Sequence, residues 1–300
     1  MNEIRVTALA CLGNGGVDAS LRRARSMIAE ATEDRPDLVC LPELFAWVNL
    51  DAAQRRTAAE PVTGKFSRSM AAIAARHRVH ILGPLVERCG DRIFNSMIWY
   101  DRKGGVVGVY RKTFPTDYEM KNGFSPGSLQ FDAFRTQFGP IGCCICFDLN
   151  FREASERLAI QGCKLVIVPT MFDGLALMKA WAKLYRMYFI SVAAEPYGAV
   201  VEPLGRTLVE PWQHGDISSF TLNLDFVVLH TDHNKAKFRS IKAKYQDRVE
   251  IQSLDNQSST LLASRHPSKS AEQIAAEYQL ETEEHYYRRS AELAEARRLR

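Results

Sequence analysis

The cysteine at position 146 is the strongest candidate for a reactive group. It stands in the segment Gly142–Asp148, where we predict an apolar strand over Ile141–Phe147 and a helix that begins near Phe151. A strand that turns sharply into a helix exposes the side chain at the turn, and it leaves backbone N–H groups available to an oxyanion. The same pattern is also typical of a cysteine that fills a core. A nucleophilic thiol would need a base or a cation from elsewhere in the chain.

Two charged side chains follow other predicted strands. Glu43 comes directly after a short buried strand over Asp37–Leu41, and Pro42 fixes the turn between them. Apolar neighbours would desolvate this carboxyl group, which raises its pKa and makes it a better base. Lys112 follows the hairpin strand Val106–Tyr110 in the same way. Each position alone is typical of an ordinary helix cap or strand end, so the prediction depends on all of them occurring together.

Histidine, the usual partner of a nucleophilic thiol, gives no support here. None of the seven histidines stands at a predicted strand end in the first two thirds of the chain. A Cys–His pair stays open, because such partners meet in space rather than in sequence. His230 and His233 with Asp232 suggest a metal site, but the loop-like stretch that follows favours a surface position. No CxxC pair has a matching second pair, so we expect no structural zinc.

The three charged or reactive segments, in this order, resemble the nitrilase superfamily of carbon–nitrogen hydrolases. The resemblance extends over about residues 3 to 228. The segments that carry it are Leu41-Pro42-Glu43, Tyr110-Arg111-Lys112, Phe124-Ser125-Pro126-Gly127, Ile145-Cys146-Phe147-Asp148, Phe151-Arg152-Glu153, Val166-Ile167-Val168-Pro169, Arg186 and Glu202-Pro203-Leu204-Gly205.

This resemblance implies an α/β fold, a four-layer α-β-β-α sandwich of the nitrilase type, with a Glu–Lys–Cys triad. Glu43 is then the general base and Cys146 the nucleophile. Lys112 and the backbone N–H of Phe147 stabilise the oxyanion of the tetrahedral intermediate. A second glutamate found in many members corresponds to Glu119, to which we assign a positioning role. The implied mechanism requires no cofactor and no metal.

The substrate pocket is less well determined by the sequence. Aromatic residues near the two glutamates, and residues after the strand beside the cysteine strand, are candidates to line it: Trp47, Tyr118, Thr170, Met171 and Phe172. Asp148, Arg152 and Glu153 are expected to hold the turn through ion pairs and capping rather than to touch substrate. The sequence departs from better-known branches of the superfamily over Arg186–Glu195 and at Pro196. These departures lie where pockets are lined, so the resemblance does not name the substrate.

The elements that position these groups alternate between strands and helices. The apolar spacing predicts helices over Ser20–Thr32, Phe66–His77, Phe151–Gln161 and Leu175–Arg186, with strands between them. No long linker interrupts residues 1–265, which we interpret as one carbon–nitrogen hydrolase domain. Residues 266–300 are highly charged and predict a helical tail, either solvated or packed on a second subunit.

Composition excludes several classes of protein. Apolar residues make up 46% and charged residues 25% of the 300 positions, as in ordinary globular chains. The net charge of +4, without a basic stripe, gives no reason to expect nucleic acid as a partner. No apolar run is long enough for a membrane span, and no signal peptide is evident. With seven cysteines, an odd number, we expect a cytoplasmic setting.

The sequence therefore predicts a cysteine-dependent hydrolase of a small linear amide or N-carbamoyl compound. Its partner would be this small-molecule substrate, an amide or a nitrile, and a homodimer or higher homo-oligomer is expected from the resemblance. The alternatives are a nitrilase that converts a nitrile to an acid, an acyl transferase, and a binding or scaffold module whose triad is silent. Intact Glu43, Lys112 and Cys146 argue against the silent module, which has no need of a converging base, cation and thiol.

Overall fold

A computed structural model describes residues 3–193, 198–209, 217–253 and 258–298. The Glu195-Pro196 connection, at which the sequence departs from its relatives, lies outside the described residues. Contacts divide the chain into two compact units, Ile4–Leu222 and Asn223–Arg300, the latter joined by the first three residues. The boundary drawn from composition at residue 265 therefore falls inside the second unit.

The first unit alternates strands and helices, as the sequence predicts. Its first half contains β1 (Glu3–Leu9), α1 (Val17–Ala31), β2 (Leu38–Cys40), α2 (Ala52–Ala58), α3 (Lys65–His77), β3 (His80–Cys89), β4 (Arg92–Tyr100), β5 (Val106–Arg111) and α4 (Asp117–Lys121). Its second half contains β6 (Phe134–Thr136), β7 (Gly139–Cys143), α5 (Arg152–Ile160), β8 (Leu165–Pro169), α6 (Leu175–Tyr185), β9 (Tyr188–Val192), β10 (Ala199–Val201), β11 (Thr207–Val209) and β12 (Ile217–Asn223).

These strands form two six-stranded sheets that face each other. The first has the order β12-β1-β2-β3-β4-β5 and the second the order β11-β10-β9-β8-β7-β6. The ring of Trp99 in β4 lies 5.3 Å from that of Phe134 in β6, which joins the inner faces. Both β1-β2-β3 and β7-β8-β9 are parallel, so the carboxyl ends of neighbouring strands meet at one edge of each sheet.

Helices cover the outer faces of both sheets. On the first sheet, α3 buries Phe66, Met70 and Ile73 at helical spacing, in the same core cluster as Ile81 of β3. On the second sheet, a Cβ at Gly142 of β7 would lie 2.7 Å from Cδ1 of Leu158, so glycine allows α5 to approach closely. The predicted four-layer α-β-β-α sandwich is confirmed.

The second unit is a small α/β module that composition did not predict. It contains β13 (Phe226–His230), α7 (Lys235–Tyr245), β14 (Val249–Ser253), β15 (Ser259–Ser264), α8 (Ala271–Glu277) and α9 (Glu283–Arg297). The strands form an antiparallel sheet in the order β13-β15-β14, and its core includes Leu229, Ile241 and Ile274. The predicted helical tail is present, but its first helix is part of this core.

Candidate active site

Cys146 lies at a strained turn between β7 and α5. It begins a short 3₁₀ helix, Cys146–Asn150, and has a φ of +50°, in the left-handed region that side chains with a Cβ rarely adopt. The strand ends at Cys143, so the prediction that it extends to Phe147 is wrong. The reason is local, because the backbone N–H of Ile145 donates to Oδ2 of Asp148 over 2.8 Å. The turn leaves Cys146 partly exposed.

Asp148 fixes this turn from beneath. Its buried carboxylate accepts hydrogen bonds from the backbone N–H of Phe114, at 2.7 Å, and from the hydroxyl of Tyr110, at 2.8 Å, besides that of Ile145. Burial raises its pKa to about 7, although these donors act to lower it. Tyr110 and Phe114 flank Lys112, so Asp148 joins the lysine segment to the cysteine turn. It does so through hydrogen bonds rather than the expected ion pairs.

Lys112 lies at the centre of a buried cluster of charges. Its Nζ is 2.8 Å from Oε1 of Glu43 and 2.8 Å from Oε2 of Glu119. Burial opposes the charged ammonium, but the nearby charges of Glu43, Cys146 and Glu119 raise the pKa of Lys112 above its usual value. Lys112 is therefore a permanent cation at physiological pH.

The two glutamates reach this cation from different elements. Glu43 follows β2, as predicted, and only 2% of it is exposed. Glu119 belongs to the capping box of α4, where its Oε2 accepts from the backbone N–H of Thr116 over 2.8 Å. Burial raises the pKa of Glu119, but Lys112 outweighs this effect and the net pKa is lowered. Glu119 is therefore held as a carboxylate.

The thiol of Cys146 is protonated in this environment. Burial and the negative charge of Glu43 raise its pKa to about 12, although Lys112 and hydrogen bonds from Thr170 and the Met171 backbone lower it. At neutral pH a thiolate therefore forms there only if a base takes the proton. Glu43, Lys112, Glu119 and Cys146 thus lie together in one cluster.

The chain is similar in sequence and in fold to known proteins. A model of the carbon-nitrogen hydrolase family matches residues 11–226. The chain belongs to this family. Two solved structures have the same fold, one of a nitrilase-superfamily member and one of a carbon-nitrogen hydrolase. A Saccharomyces cerevisiae member has a TM-score of 0.65 at 20% identity, covering 82% of this chain and 95% of the other. The carbon-nitrogen hydrolase from Helicobacter pylori has a TM-score of 0.67 at 19% identity, with the same coverage.

Curated relatives of this family member include amidases and nitrilases. A citrullinase from Francisella tularensis is 29% identical over 182 residues, 57% of this chain and 62% of that protein. An N-carbamoylputrescine amidase from Solanum lycopersicum is 27% identical over 232 residues, 71% of this chain and 74% of that protein. A nitrilase from Pyrococcus abyssi is 31% identical over 155 residues, 51% of this chain and 58% of that protein. The chain thus spans less than two thirds of the citrullinase and the nitrilase.

The predicted pocket residues of this family member occupy different environments. Thr170 and Met171 reach the sulfur of Cys146, and the N–H of Phe172 donates to Oγ1 of Thr170 over 3.2 Å. Tyr118, on α4, is 66% exposed. Trp47 is wholly buried in the core, with its ring 4.7 Å from that of Phe66, and is not an accessible wall. Trp47, an aromatic residue close to Glu43 in the sequence, therefore belongs to the core and not to a pocket.

Two features of the site were not predicted. The buried amide of Asn95, in β4, contacts both Glu43 and Glu119. Its signal in the sequence is an amide in a strand that is otherwise mostly apolar from Ile93 to Tyr100. The rings of Phe114 and Phe151 stack at 3.9 Å beside the cysteine turn. The two residues are far apart in the sequence, so their spacing does not predict this contact.

The structure also locates the histidine motif. His230 is buried, and its ring stacks on that of Tyr286 at 3.5 Å, so the surface position expected for it is wrong. In the part of the chain that the structure describes, no group of three or more His, Cys, Asp or Glu side chains is arranged to hold a metal ion. Among the same residues, none of the helices combines the length and apolar character that crossing a membrane requires. No disulfide joins any of the seven cysteines, all of which are described.

Proposed function

We propose that this chain hydrolyses the C–N bond of a small linear amide or N-carbamoyl compound through a thioester on Cys146. The observation that carries this proposal is the position of Lys112, bonded to both Glu43 and Glu119 while its charge acts on Cys146. A base, a cation and a thiol buried together at strand ends suit acyl transfer through a covalent intermediate.

In the first half-reaction Glu43 takes the proton of the Cys146 thiol. The sulfur attacks the carbonyl carbon, and the carbonyl oxygen becomes an oxyanion. The ammonium of Lys112 and the backbone N–H of Phe147 stabilise this charge in a site shielded from water. The C–N bond then breaks, the proton held by Glu43 passes to the leaving nitrogen, and ammonia or an amine departs.

In the second half-reaction water replaces the amine. Glu43, again a carboxylate, removes a proton from water, and the resulting hydroxide attacks the thioester carbonyl. The C–S bond breaks and the sulfur recovers the proton from Glu43. One water is consumed. An amide substrate leaves as a carboxylic acid, and an N-carbamoyl compound leaves as a carbamic acid that breaks down to an amine and carbon dioxide.

The names of the relatives guide the choice of substrate class. Citrullinase and N-carbamoylputrescine amidase favour a carbamoyl compound, whereas the Pyrococcus nitrilase keeps a nitrile as the alternative. An attack of Cys146 on a nitrile carbon would give a thioimidate, which two waters convert to the acid and ammonia.

Release of ammonia from a panel of compounds tests the proposal. The panel contains citrulline, N-carbamoylputrescine, simple linear amides and aliphatic nitriles. The kcat/KM of Cys146→Ser should be at least about a hundredfold lower than that of wild type, because a serine hydroxyl is a far weaker nucleophile than a cysteine thiol. Cys89→Ser, at an exposed cysteine, is the matched control and should keep wild-type activity.

Two further outcomes decide the chemistry. Mass spectrometry of the wild type mixed rapidly with a turned-over substrate should show an acyl adduct on Cys146 and none in Cys146→Ser. A folded wild type that releases no ammonia from any compound would favour the silent scaffold. We keep the cytoplasm as the proposed compartment, with all seven cysteines as thiols.

A further inference from the structure

Asn95 donates to both glutamates of the charged cluster. Its Nδ2 lies 2.8 Å from Oε1 of Glu43 and 2.9 Å from Oε1 of Glu119, and 1% of the residue is exposed. An amide nitrogen carries two hydrogens, so both are given to carboxylate oxygens. The backbone carbonyl of Asn95 also accepts from the backbone N–H of Lys112 over 2.8 Å. Asn95 and Lys112 are therefore neighbours across β4 and β5.

The amide oxygen of Asn95 shows which contacts fix the orientation of the side chain. Oδ1 of Asn95 is buried, and among the described residues it has no hydrogen-bond partner. Burial of an unpartnered carbonyl oxygen costs stability, so a purely structural amide would be expected to satisfy both ends. Rotation of the amide by 180° would place this oxygen against two anionic oxygens. The two glutamates alone thus fix the orientation of the group.

We propose that Asn95 is a positioning residue that holds Glu43 and Glu119 as a pair of carboxylates around Lys112. The proposal rests on the proposed hydrolysis. Two carboxylates that share one ammonium repel each other, and a neutral donor binds both without adding charge. Oε1 of Glu43 then receives Lys112 and Asn95 together, which assigns Oε2 to the proton of Cys146.

Removal of the Asn95 donor changes where the proton of the cluster resides. The charged and titratable groups around Lys112 are Glu43 after β2, Glu119 on α4, and Cys146 and Asp148 on the turn after β7. Without Asn95 the carboxylates are less well stabilised and bind protons more strongly. A proton shared between Cys146 and Glu43 then lies more often on Glu43, and the thiolate is more populated.

The experiment compares Asn95→Leu with wild type in two measurements. One is the pH dependence of hydrolysis, and the other is the rate at which iodoacetamide alkylates Cys146 at neutral pH, read by mass spectrometry. Asn95→Asp is the second variant, since it keeps the shape of the side chain and replaces the donor by an acceptor. Ser96→Ala is the matched control, because Ser96 is equally buried in β4 but bonds Glu87 on the opposite face.

Asn95→Leu should change the pH profile, the alkylation rate and kcat. The acid limb of the pH profile should move upward by about one pH unit, and alkylation of Cys146 should become about tenfold faster, while kcat falls. Asn95→Asp should move both measurements in the same directions, and Ser96→Ala neither. Loss of activity at every pH with unchanged alkylation in both Asn95 variants would overturn the proposal.

The two proposals fail separately. A wild type that hydrolyses nothing, with alkylation still accelerated by Asn95→Leu, would remove the proposed function and leave the positioning of the glutamates intact. If Asn95→Leu does not fold, as judged by circular dichroism and by labelling of the buried cysteines, Asn95→Asp decides. Equal alkylation rates in Asn95→Asp and wild type would then overturn the proposal.

Discussion

The hydroxyl group of Tyr110 donates a hydrogen bond of 2.8 Å to Oδ2 of Asp148, and both side chains are buried. The same Oδ2 accepts the backbone N–H of Ile145, next to the cysteine, while Oδ1 accepts that of Phe114, two residues after Lys112. One carboxyl group therefore sets the distance between the segments that carry Cys146 and Lys112.

Tyr110→Phe should destabilise the chain by about 1–3 kcal/mol, because it removes a donor from a buried carboxylate. The cysteine turn loses one of its three anchors, so kcat should fall while KM changes little. Urea denaturation and steady-state kinetics measure the two effects. Tyr185→Phe, at a tyrosine on α6 outside this network, is the control. Equal effects of the two substitutions would contradict the anchoring role.

The stability of the fold should depend on pH through Asp148. Burial raises its pKa from 3.8 to about 7, so the folded chain holds a proton that the unfolded chain has released. This contribution is fully present below the unfolded value and is lost as the pH rises through about 7. A tenfold difference in proton affinity between the folded and unfolded chains corresponds to about 1.4 kcal/mol.

Asp148→Asn removes this titration. The variant should be less stable than wild type at acidic pH. One carboxyl oxygen is replaced by an NH2 group, which cannot accept the hydrogen bonds that this oxygen receives in wild type. Its free energy of unfolding should fall less steeply between acidic and neutral pH. Urea titrations across that range measure the slope, and identical slopes for the two proteins would show that Asp148 does not titrate there.

The charges around Cys146 should govern its reactivity in opposite senses. Glu43 raises the pKa of the thiol and Lys112 lowers it. At neutral pH, Glu43→Gln should therefore be alkylated faster than wild type by iodoacetamide, and Lys112→Met more slowly, although both should lose hydrolysis. Cys89 provides an internal reference in each digest. Slower labelling of Glu43→Gln would mean that the carboxylate promotes the thiolate rather than opposing it.

The left-handed backbone conformation of Cys146 should lower the stability of the folded chain. With a φ of +50°, a residue with a Cβ costs about 1 kcal/mol more there than glycine. Cys146→Gly should accordingly be at least as stable as Cys146→Ala in urea denaturation. The same pair of substitutions at Cys144, whose φ is not positive, should give the usual order with alanine more stable. If the alanine variant is the more stable one at both positions, the backbone at Cys146 is not strained.

The terminal helix α9 offers a test of self-association. Residues 290–298 are all exposed, and two helical turns without a packed face are marginal in water. Deletion of the residues after Arg289 should weaken a homo-oligomer, seen by sedimentation, without removing the buried Ile274 and Leu280. Unchanged sedimentation of the shortened chain would exclude this helix from the contact.

Strand ends were the predictable part of the site. Glu43 and Lys112 follow short apolar strands bounded by turn residues, and this signal is local in the sequence. Cys146 was also found, although its strand ends three residues earlier. The side chain of Asp148 bends the backbone there, and that contact depends on Tyr110 and Phe114, which are remote in the chain.

Other features depend on contacts that spacing does not reveal. Trp47 was predicted to line the site, but it fills the core against Phe66, because a large ring is stabilised wherever it buries most surface. The strands of the second unit are short, and the charged helix α7 separates β13 from β14, so the sequence does not reveal their pairing. The sequence does not single out Asn95, because its partners stand after β2 and on α4.

The alternation of β4 has a consequence for refolding. Asn95 faces the glutamates, while the next residue, Ser96, faces Glu87, which also binds Arg111 through both carboxylate oxygens. A slip of one residue between β4 and its neighbours would exchange these two faces. A slip in one direction would bring Ser96 to the charged cluster, and a slip in the other would bring Phe94 there; either one removes the amide from the two glutamates. Specific activity after refolding should therefore count the molecules whose strands have paired in register.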